Sequence, residues 1–144
     1  MSKRRVYISG PMSDLVPDDP EKNREEYMAR FHRAEMLVAN EGYWAVSPTR
    51  FAPCRWPWMY RLLERMVGRR TAYILVLLYD LWKLSQCDII YKMPGWKESK
   101  GASIESCWAF HMGLWTLPTQ HRERIDRRMA KFIEKRNLKL KEDE

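Results

Sequence analysis

A chain of 144 residues, 45% apolar and 31% charged, has ordinary globular composition and the length of one domain with its own core. Three cysteines, Cys54, Cys87 and Cys107, are odd in number and lack metal-ligand spacing, which argues against a disulfide scaffold and for a reducing, cytoplasmic setting. The formal charge of +7 permits an anionic partner, but no zinc-finger, ribonucleoprotein or recognition-helix signature accompanies it, so nucleic-acid binding is not expected.

Met1 to Arg5 is basic, yet Gly10-Pro11 interrupts the following apolar stretch too soon for a signal peptide. Arg5 to Ser9, with valine, tyrosine and isoleucine in succession, predicts a first strand stopped by Gly10-Pro11. Asp14 to Pro20 is loop. Glu21 to Asn40 predicts a helix, because Tyr27, Phe31, Ala34, Leu37 and Val38 recur at helical spacing, with Gly42 as its stop. Tyr43 to Ser47 predicts a second strand ended by Pro48. A strand, a helix and a strand favour a parallel unit over a hairpin.

Thr49 to Trp58 is irregular and aromatic, limited by Pro53 and Pro57. Met59 to Val67 predicts a short basic amphipathic helix ended by Gly68. Thr71 to Leu84 reads as a helix buried on more than one face, with a strand over Tyr73 to Tyr79 as the competing reading. Its apolar run is far shorter than the roughly 20 residues that span a bilayer, so no membrane partner is expected. Asp88 to Lys92 is the third strand and Ala102 to Met112 the next helix, ended by Gly113. Leu114 to Leu117 is a fourth strand, and Arg122 to Lys139 a basic helix with Ile125, Met129, Phe132 and Ile133 on its apolar side.

The alternation predicts an α/β fold: a three-layer, flavodoxin- or Rossmann-like parallel sheet of four or five strands flanked by helices. Residues 1–120 form the domain, and 121–144 a basic helix packed on or extending it. Such sheets place ligand sites beyond the carboxyl ends of their strands. There the loops 10–19, 48–58 and 94–101 should meet.

Glu105 is the leading candidate for chemistry. It lies four residues after Gly101, near a helix start, where an acid also simply favours the helix dipole. The neighbouring Cys107-Trp108-Ala109-Phe110 makes its surroundings partly apolar, and a carboxylate there needs hydrogen bonds or shifts its proton affinity. Asp80 interrupts an apolar run and needs a partner or a purpose; a cap or a salt bridge to arginine is the ordinary reading. Asp88, at the amino end of its strand, is structural. Gly10, Ser13, Ser99, Gly101 and Ser103 sit in turns whose backbone N–H groups suit phosphate, although simple tight turns explain them as well. Neither GxGxxG nor GxxxxGK[ST] occurs. Trp56, Trp58 and Trp96 flank the expected cleft and could stack on a base, with ordinary packing the alternative. The three histidines form no metal grouping.

These residues also carry a resemblance. Tyr7-Ile8-Ser9-Gly10-Pro11-Met12, Ala34-Glu35, Gly42, Ser47-Pro48, Asp80, Cys87-Asp88-Ile89-Ile90-Tyr91 and Pro94-Gly95-Trp96 with Ser99, Gly101-Ala102 and Glu105 resemble the nucleoside 2-deoxyribosyltransferase-like superfamily. Within it they look most like small phage and bacterial proteins of unknown function, related to nucleoside 5'-monophosphate N-glycosidases. The resemblance covers roughly residues 5 to 117. It implies that Glu105 attacks the anomeric carbon of a nucleoside or nucleotide and that Asp80 protonates or orients the departing base. It implies that Tyr7 and Gly10 line the first loop. Ser99 replaces the aspartate of the transferases and matches the serine of the monophosphate hydrolases, which holds phosphate. Ser99 thus tilts the expectation toward hydrolysis of a (deoxy)nucleoside 5'-monophosphate, with base exchange on a deoxynucleoside and a non-enzymatic nucleotide-binding protein as the alternatives; the reaction needs no metal or cofactor, and a homo-oligomer is expected. The first loop, MSDLVPDD, departs from the basic, glycine-rich loop of those hydrolases.

Overall fold

The computed structural model describes residues 3–51 and 55–143. Met1, Ser2, Pro53 and Cys54, used above, lie outside them. Among the described residues four strands, β1 (Arg5–Ser9), β2 (Trp44–Val46), β3 (Ile89–Lys92) and β4 (Trp115–Thr116), form one parallel sheet in the order β2-β1-β3-β4. Among the described residues five helices flank it: α1 (Pro20–Asn40), α2 (Pro57–Val67), α3 (Arg69–Ser85), α4 (Lys100–His111) and α5 (Thr119–Glu142). Short 3-10 turns occupy Pro48–Arg50 and Trp96–Glu98.

The three layers follow from side-chain alternation along the central strand. Val6 and Ile8 pack with Phe31, Ala34 and Val38 of α1 and with Ile125 and Met129 of α5. Tyr7 points the other way, toward Leu81 and Leu84 of α3 and Ala109 of α4. All four residues from Val6 to Ser9 are buried, because β1 is covered on both faces.

Local chemistry sets the element ends. Asp19 caps α1 by accepting from the Lys22 backbone N–H at 3.1 Å, and Pro20, lacking an N–H, occupies the first turn. Asn23 ties down the loop before α1: its Oδ1 accepts from Leu15 N (2.8 Å) and Val16 N (2.9 Å), and its Nδ2 donates to Met12 O (2.8 Å). Gly68, at φ 89°, takes a backbone conformation that joins α2 to α3 and that other residues rarely adopt.

The expected elements appear in the expected order, with two corrections. The segment over Thr71 to Leu84 is a helix and not a strand, but it is not buried on more than one face. Only Ala72, Leu81 and Leu84 of α3 are buried, while Ile74, Leu78 and Trp82 are exposed. A single stripe of the helix reaches the sheet, and most of its other apolar side chains face outward. The irregular stretch also ends sooner than expected, since α2 begins at Pro57, where proline's fixed φ suits a first turn.

Candidate active site

The β2-β1-β3-β4 order reverses direction between β1 and β3, and in such sheets the crevice beyond that point holds ligands. A cleft of about 1170 Å³ lies there. Ser13 of the β1–α1 loop, Pro94 and Ser99 of the β3–α4 loop and Gly101 of α4 line one side. Asn137 and Leu138 of α5 line the other.

Beneath this region, on the α3/α4 face of the sheet, Glu105 is 6% exposed. The Tyr7 hydroxyl donates to its Oε2, and the Ser9 hydroxyl donates to its Oε1 at 2.9 Å. Tyr7 and Ser9 share a face because strand side chains repeat every two residues. Burial pushes Glu105 up to about 7, against the opposing pull of the Tyr7 and Ser9 hydrogen bonds. Asp80 lies on the sheet-facing stripe of α3, between Leu77 and Leu84. Its pKa is raised to about 8, first by burial and then by the charge of Glu105. Both carboxyls are therefore held above the usual carboxylate range, chiefly by burial, and the charge of Glu105 adds to the rise at Asp80.

The other expected site residues fall into three groups. Ser13, Ser99 and Gly101 line the cleft, and Ser99 also caps α4 by accepting from the Ala102 backbone N–H at 3.3 Å. Tyr7 and Gly10 are buried below it. A Cβ on Gly10 would come within 2.2 Å of Met93 Cε and 3.1 Å of Met93 Cβ, so the absence of a side chain lets β1 close against the end of β3. Trp56 and Trp96 lie outside the lining of the cleft. Trp56 is largely exposed beside Arg55, and Trp96 borders a separate hollow with Lys92, whose Nζ sits 4.4 Å from the ring centroid. Asp88 accepts from the Arg5 backbone N–H at 3.2 Å, a structural role.

Sequence reasoning missed Ser9 as a partner of Glu105. Its position two residues after Tyr7 on the same strand was the available signal. Also missed was α5 as a wall of the cleft, because nothing local reveals where the end of a helix docks. Among the described residues, no group of three His, Cys, Asp or Glu side chains could hold a metal ion, and no helix is long and apolar enough to cross a membrane.

The family model described as "Domain of unknown function (DUF4406)" matches residues 4–117. The chain belongs to the DUF4406 family. No curated protein matches it. The DUF4406 match takes in all four strands and α1 to α4, including Tyr7, Ser9, Asp80 and Glu105, and stops before α5.

Proposed function

We propose that this DUF4406 protein is a member of the nucleoside 2-deoxyribosyltransferase-like superfamily and hydrolyses the N-glycosidic bond of a (deoxy)nucleoside 5'-monophosphate. The observation that carries the proposal is Glu105, buried and gripped by Tyr7 and Ser9, with Asp80 near enough for the Glu105 charge to raise its pKa. Each Glu105 oxygen accepts one hydrogen bond and keeps a further lone pair for attack. In the proposed reaction, Glu105 bonds to the anomeric carbon as the bond to the base breaks. The base leaves with the electron pair and takes the Asp80 proton. Water then attacks the same carbon, gives a proton to the Asp80 carboxylate, and releases the sugar phosphate and the free Glu105. Ser13 and Ser99 are placed on the phosphate. No cofactor enters the scheme.

A deoxyribosyltransferase would use the same first half and pass the sugar to a second base. A nucleotide-binding protein without turnover is the reading favoured by one specific observation: Glu105 is buried and is not among the residues lining the cleft.

The proposal places the protein in the cytoplasm, with Cys87 and Cys107 as free thiols, and as a homo-oligomer. The support for an oligomer is an exposed apolar face of Ile74, Leu75, Leu78 and Trp82 on α3 with Ile104 and Trp108 on α4. The two helices adjoin there, since Trp108 Nε1 donates to Ser85 Oγ at 2.8 Å. Six such side chains, each about half exposed, offer on the order of 600 Å² per copy, so a symmetric pair would bury about 1,200 Å², the lower bound of a stable interface.

The deciding experiment incubates the protein with nucleoside 5'-monophosphates and with deoxynucleosides, with and without a second base, and follows free base by chromatography. Release from monophosphates, abolished in the isosteric Glu105→Gln variant, is expected. Base exchange on deoxynucleosides would make it a transferase, and binding without release would make it a sensor.

A further inference from the structure

The helix α5 lies beyond the DUF4406 match, which ends at residue 117, yet it forms one wall of the cleft. Its first half is ordinary core: Ile125 and Met129 are buried against β1, β3 and α1. Its second half is held differently. Glu26 of α1, 1% exposed, accepts from Arg30 Nε at 3.0 Å through one oxygen and from Arg136 Nε at 3.1 Å through the other. Arg30, itself buried, donates from Nη2 to Asn137 Oδ1 at 3.0 Å. Buried charges are costly to desolvate, and such a network gives geometric definition more surely than stability.

That definition has a chemical consequence at Asn137. A guanidinium can only donate, so the amide atom facing Arg30 must be the oxygen. The amide orientation is thereby fixed, and the two Nδ2 hydrogens are what Asn137 has left to offer the cleft it lines. Glu134, three residues earlier on the same helix face, lines the cleft too and offers only acceptors. Ile133 and Leu138 supply apolar surface beside them, while Trp56 and Trp96 do not line the cleft.

We propose that α5 is a base-recognition wall: Asn137 donates to an acceptor on the edge of a nucleobase, Glu134 accepts from an adjacent N–H, and Ile133 and Leu138 pack against its ring. The inference rests on the nucleotide reading above and adds the residues that would read the base. It assigns the phosphate to the opposite side of the cleft, where Ser13 and Ser99 stand.

The test is calorimetric titration of the full chain with nucleoside 5'-monophosphates and with the base-free sugar 5-phosphate. Asn137→Asp is the informative variant, because a carboxylate oxygen still satisfies Arg30 while the amide hydrogens are gone; unchanged thermal unfolding confirms that α5 stays docked. Nucleotide affinity should fall about tenfold or more, with sugar phosphate affinity unchanged. Glu134→Gln should weaken nucleotide binding alone in the same way. Equal loss for both ligands, or loss for neither, overturns the base wall and leaves the nucleotide reading standing. If the unaltered protein binds no nucleotide, the nucleotide reading itself falls and takes this inference with it.

Discussion

The hydroxyl of Tyr7 donates to Oε2 of Glu105, a residue 98 positions further along the chain, and fixes the α4 carboxylate against the central strand. Removing this donor by Tyr7→Phe leaves a buried carboxylate with one partner fewer. The variant should lose about 1–3 kcal/mol of stability in urea denaturation. The Glu105 pKa should also rise, because the Tyr7 bond, with that of Ser9, pulls it down. A carboxyl-detected NMR titration that finds no rise would contradict this account.

The catalytic proposal sets a narrow pH window. Glu105 must be ionised and titrates near 7, while Asp80 must be protonated and titrates near 8. Turnover, expressed as kcat/KM, should therefore rise and fall within a single bell centred between those values. Asp80→Asn should remove the alkaline limb along with most of the rate, by about 10² to 10⁴-fold.

Stability should run the other way with pH. Both carboxyls have folded pKa values raised above their ordinary values of 4.5 and 3.8. Between about pH 4 and 8 the unfolded chain has lost these protons while the folded chain still holds them. By linkage, their contribution to stability is greatest at acid pH and declines as pH rises through that window. Urea midpoints at pH 5 and pH 8 should differ in this sense, and less so in Asp80→Asn.

Gly10→Ala places a methyl against Met93, within 3.1 Å of its Cβ. The flexible end of Met93 can move aside, but its backbone is held by its N–H, which donates to Ser9 O at 2.8 Å. Overpacking of this kind costs about 1–3 kcal/mol, readable as a lowered urea midpoint. An unchanged midpoint would mean that the two loops do not meet as described.

Glu26→Ala strands Arg30 and Arg136 beside a cavity. Breaking such a buried cluster costs about 3–5 kcal/mol. The amides of α5 near Asn137 should lose hydrogen-exchange protection first, because Arg30 and Arg136 tie this half of the helix down. Leu78→Glu tests a different surface: it should convert the expected oligomer to a monomer in sedimentation, whereas a monomeric unaltered protein at micromolar concentration would count against the oligomer.

The sequence by itself determined the elements. Alternation and helical periodicity are local, so Arg5 to Ser9 read as a strand, and Gly42, Gly68 and Gly113 marked where helices stop. It also singled out Glu105 and Asp80, because acids among apolar neighbours need partners. Who those partners are was decided only by the tertiary structure. Ser9, Tyr7 and Glu105 meet because β1 and α4, far apart in the chain, pack face to face, and no local pattern encodes that docking. The same holds for α5, whose apolar stripe was plain but whose second half lines the cleft through Glu26 and Arg30. Trp56 and Trp96 looked equally suited to a base, and packing left both outside the cleft lining. Local propensity is written in the spacing of neighbouring residues, whereas a site is made by surfaces brought together from distant segments, and their arrangement depends on the burial of the whole chain.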